Sequence, residues 1–283
     1  MIVTLTEILN EADKGKYGVG MFNAIDLQMA MAVIGAAEEA NSPVILSTAE
    51  GLLKFGPLDE LAVIYKELAT KTKVPVCIHF DHGLTRENII KAMRNGFSGV
   101  MYDCSSRPYE ENIKECAEMA KIAHAFGAGI EAELGHVGSN DVDNPEASSD
   151  DHSVYTDPAQ AAEFVERTGV DCLAVSVGNA HGVYLKEPKI DIPLVDQLRQ
   201  SAGVPLVLHG GSGLSDDDFR GSIAKGICKV NIYTDLVLAA NAAMRENFAD
   251  PNGNIMSMNA PYIDAVKKAT IKKMELFGSV NKA

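Results

Sequence analysis

The chain lacks long apolar runs, and it has an acidic surplus in place of positive charge. No segment reaches the roughly 18 consecutive apolar residues of a membrane-spanning helix, and the first 20 residues lack the charged-then-apolar order of a secretory signal. The 39 acidic and 25 basic residues give a net charge of −14, which would repel nucleic acids and anionic membranes at long range. We therefore expect a cytoplasmic protein that binds small molecules, with no nucleic-acid or membrane partner.

The cysteines follow no disulfide or metal-site pattern. There are five, an odd number, and none stands in Cys-x-x-Cys spacing. Most lie in apolar runs such as PVCIHF and DCLAV, a setting typical of buried free thiols. A small anionic substrate would then have to be held by a metal ion or by backbone N–H groups.

Short segments rich in Val, Ile and Leu recur between helical patterns. They do not alternate apolar with polar residues for long, which is typical of strands buried on both faces. The segments are YGVGMFN, SPVILST, VPVCIHF, SGVMYDC, AGIEAEL, DCLAVSV, VPLVLHG and CKVNIYT, and the helical patterns include 27–40, 58–70, 87–95, 109–126, 158–168 and 194–201. A parallel barrel needs eight strand–helix units, whereas an open doubly wound sheet usually has fewer. We predict a single (β/α)₈ barrel domain over residues 1–283.

Further segments flank the eight units. An amphipathic helix at 5–14 is predicted to close the lower end of the barrel, and helices at 236–247 and 263–277, separated by the polar loop DPNGNIMSMNAP, follow the last strand. The one long irregular stretch, 135–153, leaves the upper end of the fifth strand, where barrels keep their active sites. This position predicts a mobile lid, while its acidic, Ser-rich composition fits a plain surface loop equally well.

Histidine-glycine steps end three separate strand segments, in HFDHG, GNAHG and LHGG. A lone histidine is more often structural than a metal ligand, but strand ends converge at one mouth of a barrel. His82, His181 and His209 therefore predict a three-histidine site, which for Zn²⁺ leaves a position open for substrate. Asp81 is then the natural acid/base, and its alternative role is to orient a ligand.

A glycine-rich turn follows the seventh strand and precedes the helical segment SDDDFRGSIA. Together with the end of the eighth strand, this is where barrels usually bind phosphate through backbone N–H groups and a helix N-terminus. Such turns are common and weakly informative alone. The position of this turn beside His209 and near Asn231 and Thr234 makes the prediction of a phosphate site more specific.

The sequence resembles the class II, metal-dependent ketose phosphate aldolases, which include fructose- and tagatose-bisphosphate aldolases. The motifs HFDHG, EAELG, GNAHG, LHGGSG and KVNIYTDL stand in family order over nearly the whole chain. The resemblance implies zinc at His82, His181 and His209, the catalytic acid/base at Asp81, and an alternative or second metal location at Asp103 and Glu133. We also expect a homo-oligomer, dimer or tetramer. The resemblance places the phosphate of dihydroxyacetone phosphate, with a monovalent cation nearby, at Gly182, Gly210, Gly211, Ser212, Asn231, Ile232, Tyr233 and Thr234.

The implied reaction needs a base for the C4 hydroxyl and a sink for the electrons arriving at C3. Asp81 would be the base. Zinc would be the electron sink, because it stabilises an enediolate of dihydroxyacetone phosphate. A Schiff-base aldolase would instead require a lysine at the upper end of a strand. Lys73 and Lys229 are interpreted here as preceding their strands, at the lower face.

The chain departs from the family pattern at the far end of the substrate. The usual Gly-Gly-x-Glu-Asp run after EAELG is replaced by 138–141, so Asp141, or else Asp143, would move the C3 proton. Ala49 replaces a serine, and DPNGNIMSMNAPYI replaces a Tyr-Asp-Pro-Arg motif, both of which serve the distal phosphate in bisphosphate enzymes. These departures favour a ketose 1-phosphate whose aldehyde half is not phosphorylated, over a ketose bisphosphate.

Two other functions fit parts of the pattern. A zinc-dependent barrel hydrolase could use the same histidines, but it would usually carry His-x-His on the first strand, and 17–23 contains no histidine. A non-catalytic sugar-phosphate-binding relative would account for the altered stretch after the fifth strand. Zinc content measured together with retro-aldol turnover separates the three.

Overall fold

The computed structural model describes residues 1–137, 154–182 and 188–283. Eight parallel strands close into a barrel in which each strand pairs with its sequence neighbours and the last pairs with the first. The predicted (β/α)₈ barrel and all eight predicted strand segments are confirmed. The strands are β1 (Val19–Asn23), β2 (Val44–Ala49), β3 (Val76–Gly83), β4 (Gly99–Tyr102), β5 (Gly129–Leu134), β6 (Cys172–Val175), β7 (Leu206–Leu208) and β8 (Ile227–Ile232).

Helices surround the barrel and cover the outer faces of the strands. Among the described residues, none is long and apolar enough to cross a membrane. Because both faces of each strand are covered, apolar residues run almost continuously along it. The helices are α1 (Leu5–Gly15), α2 (Leu27–Ala40), α3 (Leu58–Lys71), α4 (Arg86–Arg94), α5 (Tyr109–Phe126), α6 (Pro158–Thr168), α7 (Ile192–Ala202), α8 (Asp216–Ala224), α9 (Thr234–Ala249) and α10 (Ile255–Phe277), with a 3₁₀ turn at Glu50–Leu52.

The first helix closes the lower end of the barrel, as predicted. The Thr4 side chain accepts a hydrogen bond from the N–H of Glu7, whose carboxylate accepts one from the N–H of Thr4, and this capping box sets where α1 begins. Buried residues of the helix, among them Leu5 and Leu9, pack against side chains at the lower end of the barrel interior. The interior is therefore sealed below, and side chains at the strand ends face upward into the mouth.

The predicted loop DPNGNIMSMNAP is wrong over its second half, because α10 begins at Ile255. The Asn254 side chain accepts hydrogen bonds from the N–H groups of Met256 and Ser257, and the Ser257 hydroxyl accepts one from the Asn254 N–H. Pro261 therefore lies inside the helix, although it cannot donate a backbone hydrogen bond there. The helix nevertheless continues through this proline, with its start fixed by the Asn254 cap and Tyr262 buried against the core.

The interpretation of Lys229 as a lower-face residue preceding its strand is also wrong. The residue lies within β8, which begins two residues earlier at Ile227, and its side chain is fully buried. Its Nζ atom lies 2.8 Å from Oε2 of Glu131 on β5. An apolar environment tolerates such a charge only when it is paired, so the flanking apolar residues concealed an ion pair inside the barrel.

Candidate active site

Three imidazole rings converge at the upper mouth of the barrel. His82 lies near the end of β3 with a φ of 41°, a left-handed conformation next to Gly83 that turns the chain. His181 follows β6, and His209 follows β7 directly. The Nε2 atom of His82 lies 3.2 Å from Nε2 of His181 and 2.8 Å from Nδ1 of His209. These separations are slightly below the ~3.3 Å that a tetrahedral zinc site imposes on its nitrogen ligands.

In two of these rings, the nitrogen that points away from the other histidines contacts a carboxylate. Nδ1 of His82 lies 2.8 Å from Oδ2 of Asp103 on the loop after β4, and Nε2 of His209 lies 2.7 Å from Oε1 of Glu131. Such partners fix the orientation of a ligating histidine and leave its other nitrogen for the metal. Ligand atoms of His82, Asp103 and Glu133 also lie within 4.8 Å of one another, which brings the predicted second set together.

Glu133 on β5 presents a buried carboxylate oxygen to the cluster. Its Oε1 accepts a hydrogen bond of 2.9 Å from the N–H of Val137, whose backbone also hydrogen-bonds to His181. Its Oε2 has no hydrogen-bond partner among the described residues and lies 4.0 Å from Nδ1 of His209. Burial, with the nearby Asp103 charge, raises the pKa of Glu133 to about 8. An unpartnered buried oxygen beside three imidazole nitrogens fits a divalent metal ion.

The three histidines differ in charge when no metal is bound. Burial lowers the pKa of His181 to about 4 and that of His209 well below its ordinary value. Burial also opposes protonation of His82, but the carboxylates of Asp81 and Asp103 outweigh it and raise the pKa of His82 to about 10. The metal-free cluster therefore holds one imidazolium between two neutral rings.

Asp81 lies at the end of β3, buried beside the cluster. Its Oδ2 accepts a hydrogen bond of 2.9 Å from Nδ2 of Asn23, and its Oδ1 accepts one of 3.1 Å from Nδ2 of Asn231. Burial disfavours the ionised carboxyl, but the positive charges of His82 and Lys229 outweigh it and lower the pKa of Asp81 to about 2. The carboxylate is ionised at neutral pH and able to accept a proton.

The sequence reasoning missed Asn23 and gave Asn231 only a phosphate-binding role. Asn23 is the last residue of β1, and Asn231 lies on β8, so both reach Asp81 from the two strands that close the barrel. Polar residues at the ends of the first and eighth strands were the available signal. The amide of Asn231 is directed to Asp81, although the residue also lines the cavity described next.

A cavity of about 540 Å³ opens above the cluster. At Gly210, where φ is 61°, an added Cβ would lie 2.1 Å from the carbonyl oxygen of Ala180, so only glycine allows this approach. The Ser212 hydroxyl accepts a hydrogen bond from the N–H of Asp235 at the start of α9, which ties the turn to that helix. The lining residues that were predicted from sequence are Asp81, His82, Asp103, His181, Gly182, Gly210, Gly211, Ser212, Asn231, Ile232, Tyr233 and Thr234.

The opposite wall of this cavity is uncharged. Ala49, Gly51, Leu52 and Leu84 line it, and no lysine or arginine does so among the described residues. His209 and Glu133 lie below the cavity floor and reach the cluster from there. Asp141, predicted to move a proton, lies outside the described residues, as does most of the predicted lid.

A barrel whose mouth gathers three imidazoles, a buried carboxylate and a glycine-rich turn defines a candidate metal-dependent enzyme. The family model described as fructose-bisphosphate aldolase class-II matches residues 3–282, and the chain belongs to that family. The predicted resemblance is thereby confirmed. The protein is an aldolase, of a family that is generally metal-dependent and acts on sugar phosphates.

Relatives match over nearly their full length. YdjI of Escherichia coli K12, described as uncharacterized, is 43% identical over 97% of this chain and 96% of its own. The fructose-bisphosphate aldolase of Geobacillus stearothermophilus is 40% identical over 100% and 99% of the two chains. The crystal structure of the YdjI aldolase superposes with a TM-score of 0.90, at 40% identity and full coverage of both chains.

Proposed function

We propose that the protein is a zinc-dependent aldolase that reversibly cleaves a ketose 1-phosphate into dihydroxyacetone phosphate and an aldehyde. The observation that carries the proposal is the ionised, doubly hydrogen-bonded Asp81 carboxylate beside three converging imidazoles. Asp81, His82 and His181 line one cavity that the glycine-rich turn also lines, and His209 reaches the cluster from below its floor. This arrangement combines a base, a metal site and an anion site within reach of one small substrate.

Asp81 acts as the base in the direction of cleavage. It accepts the proton of the C4 hydroxyl as the C3–C4 bond breaks and C4 becomes the aldehyde carbonyl, and it returns that proton in condensation. Asn23 and Asn231 hold its two oxygens in place. Zinc bound by the three histidines would supply the positive charge that stabilises the negative charge developing on the ketose oxygens. We assign the proton transfer at C3 to Asp141.

The phosphate of the substrate binds at the glycine-rich side of the cavity, beside a monovalent cation. Gly182, Gly210, Gly211 and Ser212 line that side together with residues 231–234. The Gly211 N–H donates to the Asn231 carbonyl, which holds the turn against β8, and the backbone of Gly182 and Ser212 faces the proposed phosphate. The N-terminus of α9 begins at the same place, and its N-cap residue Tyr233 makes no side-chain hydrogen bond there, although the Ser212 hydroxyl accepts one from the Asp235 N–H. Oriented dipoles of this kind attract an anion without a lysine, even in a protein of net charge −14.

The aldehyde half of the substrate carries no phosphate. The wall that would contact it is formed by Ala49, Gly51, Leu52 and Leu84. A desolvated phosphate needs charge-assisted or bidentate partners, and the described lining offers none on this side. A ketose 1-phosphate with a neutral or carboxylate tail fits this cavity better than a ketose bisphosphate does.

The test is a condensation screen with identification of the products. Purified protein, supplied with zinc, is incubated with dihydroxyacetone phosphate and a panel of phosphorylated and unphosphorylated aldehydes, with Asp81→Asn as the control. We expect ketose 1-phosphates as products of the parent protein alone. Binding of dihydroxyacetone phosphate without condensation would favour a non-catalytic binder, and zinc-dependent ester or amide hydrolysis would favour a barrel hydrolase.

We further propose that residues 1–283 form one domain and that the protein assembles as a homodimer or homotetramer. Large apolar side chains at the start of α10 support assembly, since Ile255 is 74% exposed and Met256 is 86% exposed. Light scattering measures the mass of the particle, and a 30.3 kDa monomer would contradict the assembly.

A further inference from the structure

A buried ion pair lies beneath the metal cluster, and the proposed reaction does not use it. Lys229 on β8 and Glu131 on β5 point into the barrel from opposite sides, both with fully buried side chains. The lysine Nζ lies 2.8 Å from Oε2 of Glu131, and Oε1 of the same carboxylate lies 2.7 Å from Nε2 of His209. The carboxylate of the pair therefore also contacts His209, one of the proposed metal ligands.

The stability of the fold does not explain why the barrel interior contains this ion pair. Apolar side chains of similar volume often replace a buried ion pair without loss of stability, and the layer around it contains Cys77, Cys172 and Ala174, all apolar and buried. His79 also faces Glu131, at 3.8 Å, but burial lowers the pKa of His79 to about 3, so it contributes no positive charge. Among the described neighbours, Lys229 is the cation that compensates Glu131.

The carboxylate decides which nitrogen of His209 carries a proton. Nε2 of His209 lies between Oε1 of Glu131, at 2.7 Å, and the amide nitrogen of Asn231, at 3.4 Å. A carboxylate only accepts hydrogen bonds and an amide nitrogen only donates them. The short contact to Glu131 therefore requires N–H at Nε2, which leaves the lone pair at Nδ1, the nitrogen that faces His82. Because Nε2 of His209 carries a hydrogen atom, it cannot accept a hydrogen bond from the Asn231 amide. That amide donates to Asp81 instead.

We infer that Glu131 is a positioning residue for His209 and that Lys229 holds it in place. Glu131 fixes the His209 ring with Nδ1 turned to the metal, and Lys229, 2.8 Å from the other oxygen, orients the carboxylate at a depth where it would otherwise have no cationic partner. The inference rests on the proposed function, because it requires a metal at the three histidines. It predicts that the pair sets the affinity for zinc.

The test replaces the pair by apolar residues of similar size in the full-length protein. In Glu131→Leu/Lys229→Met no net charge is buried, so folding should survive, as thermal unfolding of the metal-free and zinc-loaded protein will show. Zinc affinity, measured by competition with a chromogenic chelator, should fall by about 10- to 100-fold, the usual effect of losing such a partner. Glu131→Gln/Lys229→Met, which restores a neutral acceptor, should lie between this variant and the parent.

A matched control and a spectroscopic measurement complete the design. Cys172→Ala changes the same layer, since its Sγ lies 3.8 Å from Oε2 of Glu131, but it keeps the pair; its zinc affinity should equal that of the parent. In ¹⁵N-histidine NMR spectra of the zinc-loaded protein, the His209 signals should show an Nε2–H ring in the parent and change in Glu131→Leu/Lys229→Met.

Each result decides a different claim. If the parent binds zinc and Glu131→Leu/Lys229→Met binds it equally well with the same His209 ring form, the pair is only structural and the inference is wrong. If the parent itself binds no zinc at the histidines, as shown by no change in binding on His181→Ala, the proposed function fails and this inference fails with it.

Discussion

The side-chain amide of Asn23 donates a 2.9 Å hydrogen bond to Asp81, across two strands of the barrel that are not neighbours. Asn231 donates to the other oxygen of the same carboxylate. Two neutral donors orient the group without adding charge, while nearby cations lower the pKa of Asp81 to about 2 against the opposing effect of burial. The Asp81 carboxylate is held in a fixed orientation, and it remains ionised at neutral pH.

Replacing Asp81 by asparagine should abolish most turnover and preserve the metal site. The amide is nearly isosteric but cannot accept the C4 hydroxyl proton, so kcat should fall by roughly 10² to 10⁴, the span typical of a positioned acid/base. Zinc content by atomic emission should stay at that of the parent. Near-normal cleavage would move the role to another residue.

Replacing Asn23 by alanine should misorient the base without removing it. Loss of a hydrogen bond to a charged group costs about 1.5 to 3 kcal/mol, so kcat should fall by roughly 10- to 100-fold, less than for Asp81→Asn. Steady-state kinetics compare the two variants with the parent. A change in KM with kcat unaltered would show that Asn23 binds substrate and does not position Asp81.

Zinc should bind at about one essential ion per chain. Three imidazoles with an open coordination position suit this ion, so chelation should abolish activity and added zinc should restore it. Borohydride in the presence of substrate should leave activity intact, since no Schiff base forms. Full turnover by metal-free protein, or irreversible inactivation by borohydride with substrate, would contradict the metal-dependent assignment.

Zinc binding should release protons and strengthen as the pH rises. In metal-free protein, burial disfavours the protonated form of His82, but Asp81 and Asp103 outweigh it and raise the pKa of His82 to about 10. Below that pH the metal must displace a proton, so affinity should rise about tenfold per pH unit through this group. Titration calorimetry in buffers of different ionisation enthalpy counts the protons, and pH-independent binding would be inconsistent with this charge state.

The raised pKa of His82 also makes the stability of the metal-free protein fall as the pH rises, whereas zinc affinity rises. The folded pKa of His82 lies above its unfolded value of about 6.5, so its contribution to stability is complete below pH 6.5 and is lost as the pH rises towards 10. Urea unfolding of the metal-free protein should show this decline. His82→Gln, which cannot be protonated, should show a smaller decline over the same range.

Fructose 1,6-bisphosphate should be a poor substrate compared with a matched ketose 1-phosphate. With Ala49, Leu52 and Leu84 on the distal wall, a second phosphate would lose contacts worth several kcal/mol when desolvated. The ratio of kcat/KM values for the two substrates measures the effect. A tenfold preference for the bisphosphate would show that another residue binds the distal phosphate.

The strands and most helices could be predicted because their signals are local. Helix α2, for example, is observed at the predicted bounds. The contacts around Asp81 were not predicted. Asn23 and Asn231 are polar residues of the first and eighth strands, but only closure of the barrel brings them together. The position of Lys229 was predicted wrongly for the same reason. Its charge can be buried because it pairs with Glu131 across the barrel, and no local sequence pattern reveals that partner. The segment up to Pro261 was predicted as a loop, whereas the Asn254 cap starts α10 within it.

Closure of β8 against β1 has a consequence for biosynthesis. Met21 lies opposite Asn231 in this pairing, so the last strand to leave the ribosome must be inserted beside the first. Until that happens, a nascent chain can already contain all three histidines and Asp81, yet it lacks the second donor to the carboxylate and the cation beneath His209. We therefore expect a chain that ends before β8 to be inactive, although it contains all three histidines and Asp81.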